Sequence, residues 1–163
     1  RIMVRHRKTV RVLGALGMAF ALYALHVEHE AERQHALGLE YTALCDIASI
    51  GASCTAVFSS EWGRLMSKLG VVPAGSALDL PNAAYGAVYY ALVMLHPLIP
   101  AGADALLTVA TVISFATTMT LAYALAFILG DVCVVCISTY VINTSLLMLV
   151  LAPGRRKAKR KGE

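Results

Sequence analysis

Four cysteines carry the chemistry that can be read from this 163-residue chain, and they fall into two pairs. The tighter pair is Cys133-Val134-Val135-Cys136, whose spacing of three puts both sulfurs on one face of a helix. The first turn of a helix carries partial positive charge and unpaired N–H groups, which favour thiolate over thiol. Two such sulfurs make a redox-active dithiol, in which one attacks and its neighbour resolves the mixed disulfide. The second pair, Cys45 and Cys54, has eight residues between its members. A structural disulfide is an alternative for that pair alone, and inert buried thiols are an alternative for the Cys133/Cys136 pair. A structural zinc site would want four ligands in close register. Neither the cysteines nor the five histidines supply one, so no metal is expected. The histidines (His6, His26, His29, His35, His96) read as tail, interface and loop residues.

The elements that must position these sulfurs are membrane helices. Hydrophobic residues make up 58% of the chain and charged residues 15%, where soluble domains carry roughly a quarter charged residues. Mean hydropathy is +0.68. No Asp, Glu, Lys or Arg occurs in 12–27, 80–103, 105–130 or 132–154, runs of 16, 24, 26 and 23 residues. About 20 apolar residues span the hydrocarbon core as a helix. The expected fold is therefore all-α and integral to the membrane, a four-transmembrane-helix bundle in a single domain over 1–163. Its spans fall at about 10–28, 81–100, 104–129 and 132–152, with a large loop at about 29–79 and a basic tail at about 153–163. An uncleaved first span is preferred to a signal peptide, because cleavage at Ala19-Phe20-Ala21 would cut through the apolar run.

Of the 14 Lys and Arg, five lie in the N-terminal tail and six in the C-terminal tail. Basic flanks stay cytosolic, so both tails should face the cytosol and the basic excess is no nucleic-acid signal. The loop and the start of the fourth span then share the non-cytosolic side, where disulfides are permitted. The loop opens on an acidic helical pattern (Glu28, Glu30, Glu32) that extends the first helix. Phe58 to Met66 is amphipathic and holds the only Trp, at the membrane surface or packed in the loop. Pro97 and Pro100 should end the second helix, and Asp131 is the expected N-cap of the fourth. Asn143-Thr144-Ser145 matches the glycosylation pattern but lies inside the fourth span, a chance match. Lys159 and Lys161 resemble an endoplasmic reticulum retrieval signal, or else anchor the tail on anionic lipid.

Several segments resemble vitamin K epoxide reductases. Cys133 to Tyr140 is similar to that family's Cys-x-x-Cys-x-x-Thr-Tyr signature. So are Tyr23-Ala24-Leu25-His26-Val27, Ala43-Leu44-Cys45-Asp46, Val57-Phe58-Ser59-Ser60 with Trp62-Gly63-Arg64, and Pro81-Asn82-Ala83-Ala84-Tyr85-Gly86. The likeness covers about 10–152. It implies a bundle around a quinone pocket, capped by the loop, in the endoplasmic reticulum membrane. It further implies that Cys133 and Cys136 are the catalytic pair, and that Cys45 and Cys54 relay electrons from a thioredoxin-like lumenal reductant or disulfide isomerase. By the same resemblance Cys54 exchanges with Cys133, Asn82 and Tyr140 hydrogen-bond the quinone oxygens, and Phe58 and Tyr85 line the pocket. On the residues alone, Asn82 reads equally as a helix N-cap and Tyr140 as a packed tyrosine. The loop pair is spaced one residue wider than the family's vertebrate pattern, and Pro81 precedes Asn82.

The activity so implied is reduction of vitamin K 2,3-epoxide and of vitamin K quinone, with no tightly bound cofactor. The same residues run in reverse would make a quinone-dependent oxidase that forms disulfides in secreted proteins. A rival from another class is a non-enzymatic tetraspan scaffold with structural disulfides.

Overall fold

A computed structural model describes residues 7–96 and 103–151. The expected helix end at Pro97 and Pro100, the basic tail from 153 and the lysines Lys159 and Lys161 lie outside the described residues. Six α-helices occur among the described residues: α1 (Arg7–Ala36), α2 (Cys54–Phe58), α3 (Leu65–Lys68), α4 (Asn82–Leu95), α5 (Ala103–Ala124) and α6 (Val134–Leu151). A π-helical turn, Leu125–Leu129, continues α5. No strand forms among them, only two isolated bridges, Ile47 with Ala52 and Ala52 with Val132.

α1 has 30 residues, about 45 Å at 1.5 Å per residue, against a hydrocarbon core of about 30 Å. The surplus is the acidic end, where Arg33 Nη2 meets Glu30 Oε2 at 2.9 Å one turn away. The helix stops at Gly38, whose φ of 72° is left-handed. Leu39 N–H donates to Gln34 O and Gly38 N–H to His35 O, so the last carbonyls are satisfied by a glycine-terminated cap.

Three helical stretches are long and apolar enough to cross a membrane: Lys8–Ala36, Asp104–Leu129 and Val134–Leu151. α4 is apolar but has 14 described residues. Val88, Ile113, Phe127, Val141 and Met148 are each more than half exposed, and such an apolar exterior suits lipid rather than water. The chain is a helical membrane protein.

Between helices the bilayer offers little hydrophobic drive, so small residues and hydrogen bonds do the joining. Gly14, Gly17, Ala21 and Ala24 line one stripe of α1, and α4 packs along it. A Cβ at Gly17 would enter the ring of Tyr90, and one at Gly14 would sit 2.9 Å from Met94 Cγ. Tyr90 Oη donates to Asn143 Oδ1 at 2.9 Å, and Asn143 Nδ2 donates to Thr118 Oγ1 at 2.8 Å. This chain ties α4, α6 and α5, and leaves Asn143 no role as a glycan acceptor.

One expectation is corrected. The fourth long helix begins at Val134, and Asp131 does not cap it. Cys133 holds the capping position: its carbonyl accepts from Ile137 N–H at 3.0 Å and its sulfur accepts from Cys136 N–H at 3.2 Å. Gly130, left-handed at φ 68° and bonded through its N–H to Leu125 O, has already turned the chain. Asp131 thus falls outside the helix start.

Gly17→Leu should overpack the α1–α4 contact, costing about 1–3 kcal/mol. That is roughly 3–10 °C in Tm for a chain of this size, measurable by thermal unfolding in detergent.

Candidate redox centre and cavity

The two cysteine pairs are both bonded, Cys45 to Cys54 and Cys133 to Cys136. Local hydrogen bonding explains why they meet. The Asp46 carboxylate accepts from Ala43 N–H (2.9 Å), Thr55 N–H (3.0 Å) and Thr55 Oγ1 (2.6 Å). Burial works against its charge, but the hydrogen bonds from Thr55 and Ala43 prevail and hold the carboxyl below the ordinary aspartate range. Ile47 and Ala52 exchange both backbone bonds around Gly51, closing a tight loop. Ser53 then accepts Ala56 N–H at 3.2 Å through its hydroxyl, capping α2, and donates its own N–H to Val132 O at 3.0 Å.

That last bond sets the residues after Ser53 and Val132 side by side. Cys54 Sγ lies 3.9 Å from Cys133 Sγ, and both residues are fully buried. Cys45 and Cys136 are only half-buried, at the two ends of the series. Beside Cys45, Leu44 is 92% exposed. Cys136 faces the other way, into a cavity of about 400 Å³ within the bundle.

The cavity is walled by α1 (Phe20, Ala24), α2 (Val57, Phe58), α4, α5 (Thr117, Thr118) and α6 (Cys136, Thr139, Tyr140, Asn143). Its size is that of a small-molecule site, and its lining is mostly apolar with few polar groups. Phe58, Asn82, Tyr85 and Tyr140, the four residues singled out in the sequence, all line it beside Cys136. Their polar atoms are differently employed. Asn82 is not a helix cap, since Pro81 occupies the N-cap position of α4. Its Oδ1 accepts Leu65 N–H at 2.8 Å and its Nδ2 donates to Trp62 O at 2.5 Å, fastening the connecting segment over the cavity. One amide proton of Asn82 is left over. Tyr85 Oη donates to Leu78 O at 2.5 Å. Tyr140 Oη has no hydrogen-bond partner among the described residues.

Trp62 belongs to this packed segment and lines the cavity. Gly63 is required beside it, because a Cβ there would strike the Phe58 carbonyl. Arg64 completes the fastening with Glu28 Oε1 at 3.3 Å, Glu32 Oε1 at 3.0 Å and the Asp79 carbonyl at 2.6 Å. The sequence reading missed Arg64, Tyr90, Thr118 and Asn143 as residues of this region. Asn143 had a legible signal: Cys136, Tyr140 and Asn143 recur at helical spacing and must share a face.

Two adjoining disulfides, one ending at the surface and one at an apolar cavity, in a helical membrane protein, define a membrane thiol/disulfide oxidoreductase. Residues 8–151 match the vitamin K epoxide reductase family. The chain is 39% identical over 135 residues to vitamin K epoxide reductase complex subunit 1 of Rattus norvegicus, covering 82% of this chain and 81% of that protein. The same protein of Mus musculus matches at 39% identity over 135 residues. The chain belongs to the vitamin K epoxide reductase family.

Asn82→Leu removes both fastening bonds and leaves Leu65 N–H and the Trp62 carbonyl unpaired. At about 1–3 kcal/mol for such a loss, amide hydrogen exchange across 60–70 should accelerate roughly 5- to 150-fold, with exchange in α6 unchanged.

Proposed function

We propose that this protein reduces vitamin K 2,3-epoxide, and vitamin K quinone after it, in the endoplasmic reticulum membrane. In this reading four helices span the bilayer, α4 as the second, with both termini cytosolic. The segment between α1 and α4 then caps the cavity on the lumenal side. The basic residues crowded at the two ends support this orientation.

The observation that carries the reading is the order of the sulfurs. Cys45 lies toward the surface, Cys54 and Cys133 are 3.9 Å apart, and Cys136 opens on the cavity. Electrons enter as a dithiol partner of thioredoxin type reduces Cys45–Cys54. The Cys54 thiolate attacks Cys133 Sγ, forming a mixed disulfide and releasing Cys136 as thiolate. Cys45 then attacks Cys54, restores the outer disulfide and frees Cys133. Reduced Cys136 attacks an epoxide carbon and opens the ring, and the oxygen takes a proton. The Cys133 thiolate then attacks the Cys136 sulfur, forming the disulfide and breaking the sulfur–carbon bond, and the enolate so released expels the protonated oxygen as water to leave the quinone. The overall change is epoxide plus two thiols to quinone, disulfide and water.

Tyr140, whose hydroxyl has no partner among the described residues, and the spare amide proton of Asn82 donate to the substrate oxygens. Such donors stabilise the oxyanion that develops as the ring opens. Phe58 and Tyr85 pack against the quinone rings. No tightly bound cofactor is needed, because the substrate and the two disulfides carry all the electrons.

The test is dithiol-driven turnover of vitamin K epoxide by the purified protein in detergent. Cys136→Ala should abolish it, and Tyr140→Phe should lower kcat by about 10²-fold, the usual loss for one oxyanion donor. Quinone reduction coupled to thiol oxidation, without epoxide turnover, would instead identify a disulfide-forming oxidase. A second expectation separates the two pairs: Cys54→Ala should stop turnover driven by a thioredoxin system. It should retain turnover driven by a small membrane-permeant dithiol that reaches Cys133–Cys136 directly.

A further inference from the structure

A second grouping of possible ligands lies outside the cavity, at the outer cysteine pair. Cys45 Sγ, Cys54 Sγ and a carboxylate oxygen of Asp46 all fall within 4.8 Å of one another. In the sequence these residues lack zinc-site register, and only the loop closed between Ile47 and Ala52 brings them together. Tetrahedral zinc, with Zn–S of about 2.3 Å and Zn–O of about 2.0–2.2 Å, needs ligand separations of roughly 3.5–3.8 Å. A small side-chain rotation reaches that once the sulfurs are unbonded.

The carboxylate is already aimed. Thr55 Oγ1, Thr55 N–H and Ala43 N–H hold it from behind, as hydrogen-bonded outer partners orient carboxylate ligands in metal sites. The Cys54 N–H bonds to it as well, so four donors take up its roughly four lone-pair positions, and the ion enters in place of one of them. Water can fill a fourth coordination position from the half-exposed Cys45 side.

We propose that the reduced Cys45/Cys54 pair, together with Asp46, binds one zinc ion, and that the bound ion withholds electrons from the Cys133–Cys136 disulfide. Zinc replaces two thiol protons in this step, and no electrons change hands. The site exists only while the outer pair is reduced, because sulfurs joined in a disulfide offer no thiolate. With zinc bound, the Cys54 sulfur is a metal ligand and cannot attack Cys133, 3.9 Å away. The braking part rests on the electron relay proposed above, whereas the binding part does not.

The experiment uses the full chain in detergent, carrying Cys133→Ser and Cys136→Ser so that only the outer pair can bind. It is reduced with a phosphine, desalted anaerobically and titrated with zinc chloride against a chromophoric chelator. One zinc per chain is expected in the reduced form and none after the Cys45–Cys54 disulfide is re-formed. Asp46→Asn should weaken binding at least tenfold. Equal affinity in that variant overturns the three-ligand site, and zinc uptake indifferent to oxidation overturns the site altogether. Cobalt(II) added to the otherwise unaltered reduced chain guards against a misfolded variant. A thiolate-to-cobalt charge-transfer band is expected, and its absence overturns the proposal. In the wild-type protein, saturating zinc should slow thioredoxin-driven turnover at least tenfold, reversed by chelation, and unchanged turnover with zinc bound overturns the brake. Binding is read without substrate, so failure of the site and failure of the epoxide reading are separate results.

Discussion

The meeting of the two cysteine pairs depends on a backbone hydrogen bond from Ser53 N–H to the Val132 carbonyl. It joins a soluble loop to the start of a membrane helix. Because each partner immediately precedes a cysteine, it brings two sulfurs 79 residues apart in sequence to 3.9 Å. Thiol–disulfide exchange requires sulfur-to-sulfur approach, and two flexible side chains on unconnected elements would rarely hold it. The connecting segment is accordingly over-fastened. Asp46 gathers Ala43 and Thr55, Arg64 grips Glu28, Glu32 and the Asp79 carbonyl, and Asn82 takes hold of Trp62 and Leu65. Each of these contacts lies outside the cysteine pairs and holds the connecting segment in place over the bundle.

The bundle beneath obeys a different rule. In hydrocarbon, apolar side chains gain little by facing one another rather than lipid, so close approach and polar pairing decide the packing. The Gly14–Gly17–Ala21–Ala24 stripe lets Tyr90 and Met94 nest against α1, and Tyr90, Asn143 and Thr118 close a hydrogen-bonded chain across three helices. The cavity is what remains above that chain. Its deep end is polar because the bundle needs those bonds, and its upper end is polar because Asn82 secures the segment above it. Cys136 opens between the two.

Local pattern and long-range placement divide the account cleanly. Charge-free runs and the Cys-x-x-Cys spacing depend on composition and on the 3.6-residue period, which act along the chain and can be read from it. The sequence by itself therefore determined an all-helical membrane protein, the extension of α1 past its apolar run, and the family. It misassigned the cap of α6, because Asp131 has the better capping chemistry on paper. The left-handed Gly130 and the bond to Ser53 move the helix start to the sulfur of Cys133 instead. Asn82 was legible as a polar residue in an apolar setting, but not its two partners on a segment 17 and 20 residues away. The approach of Cys54 to Cys133 and the gathering of Phe58, Asn82, Tyr85 and Tyr140 around Cys136 were implied by the family resemblance alone, and their geometry, like the convergence of Asp46 on the outer sulfurs, was decided by tertiary structure. Each depends on hydrogen bonds between distant segments, whose partners no local periodicity specifies.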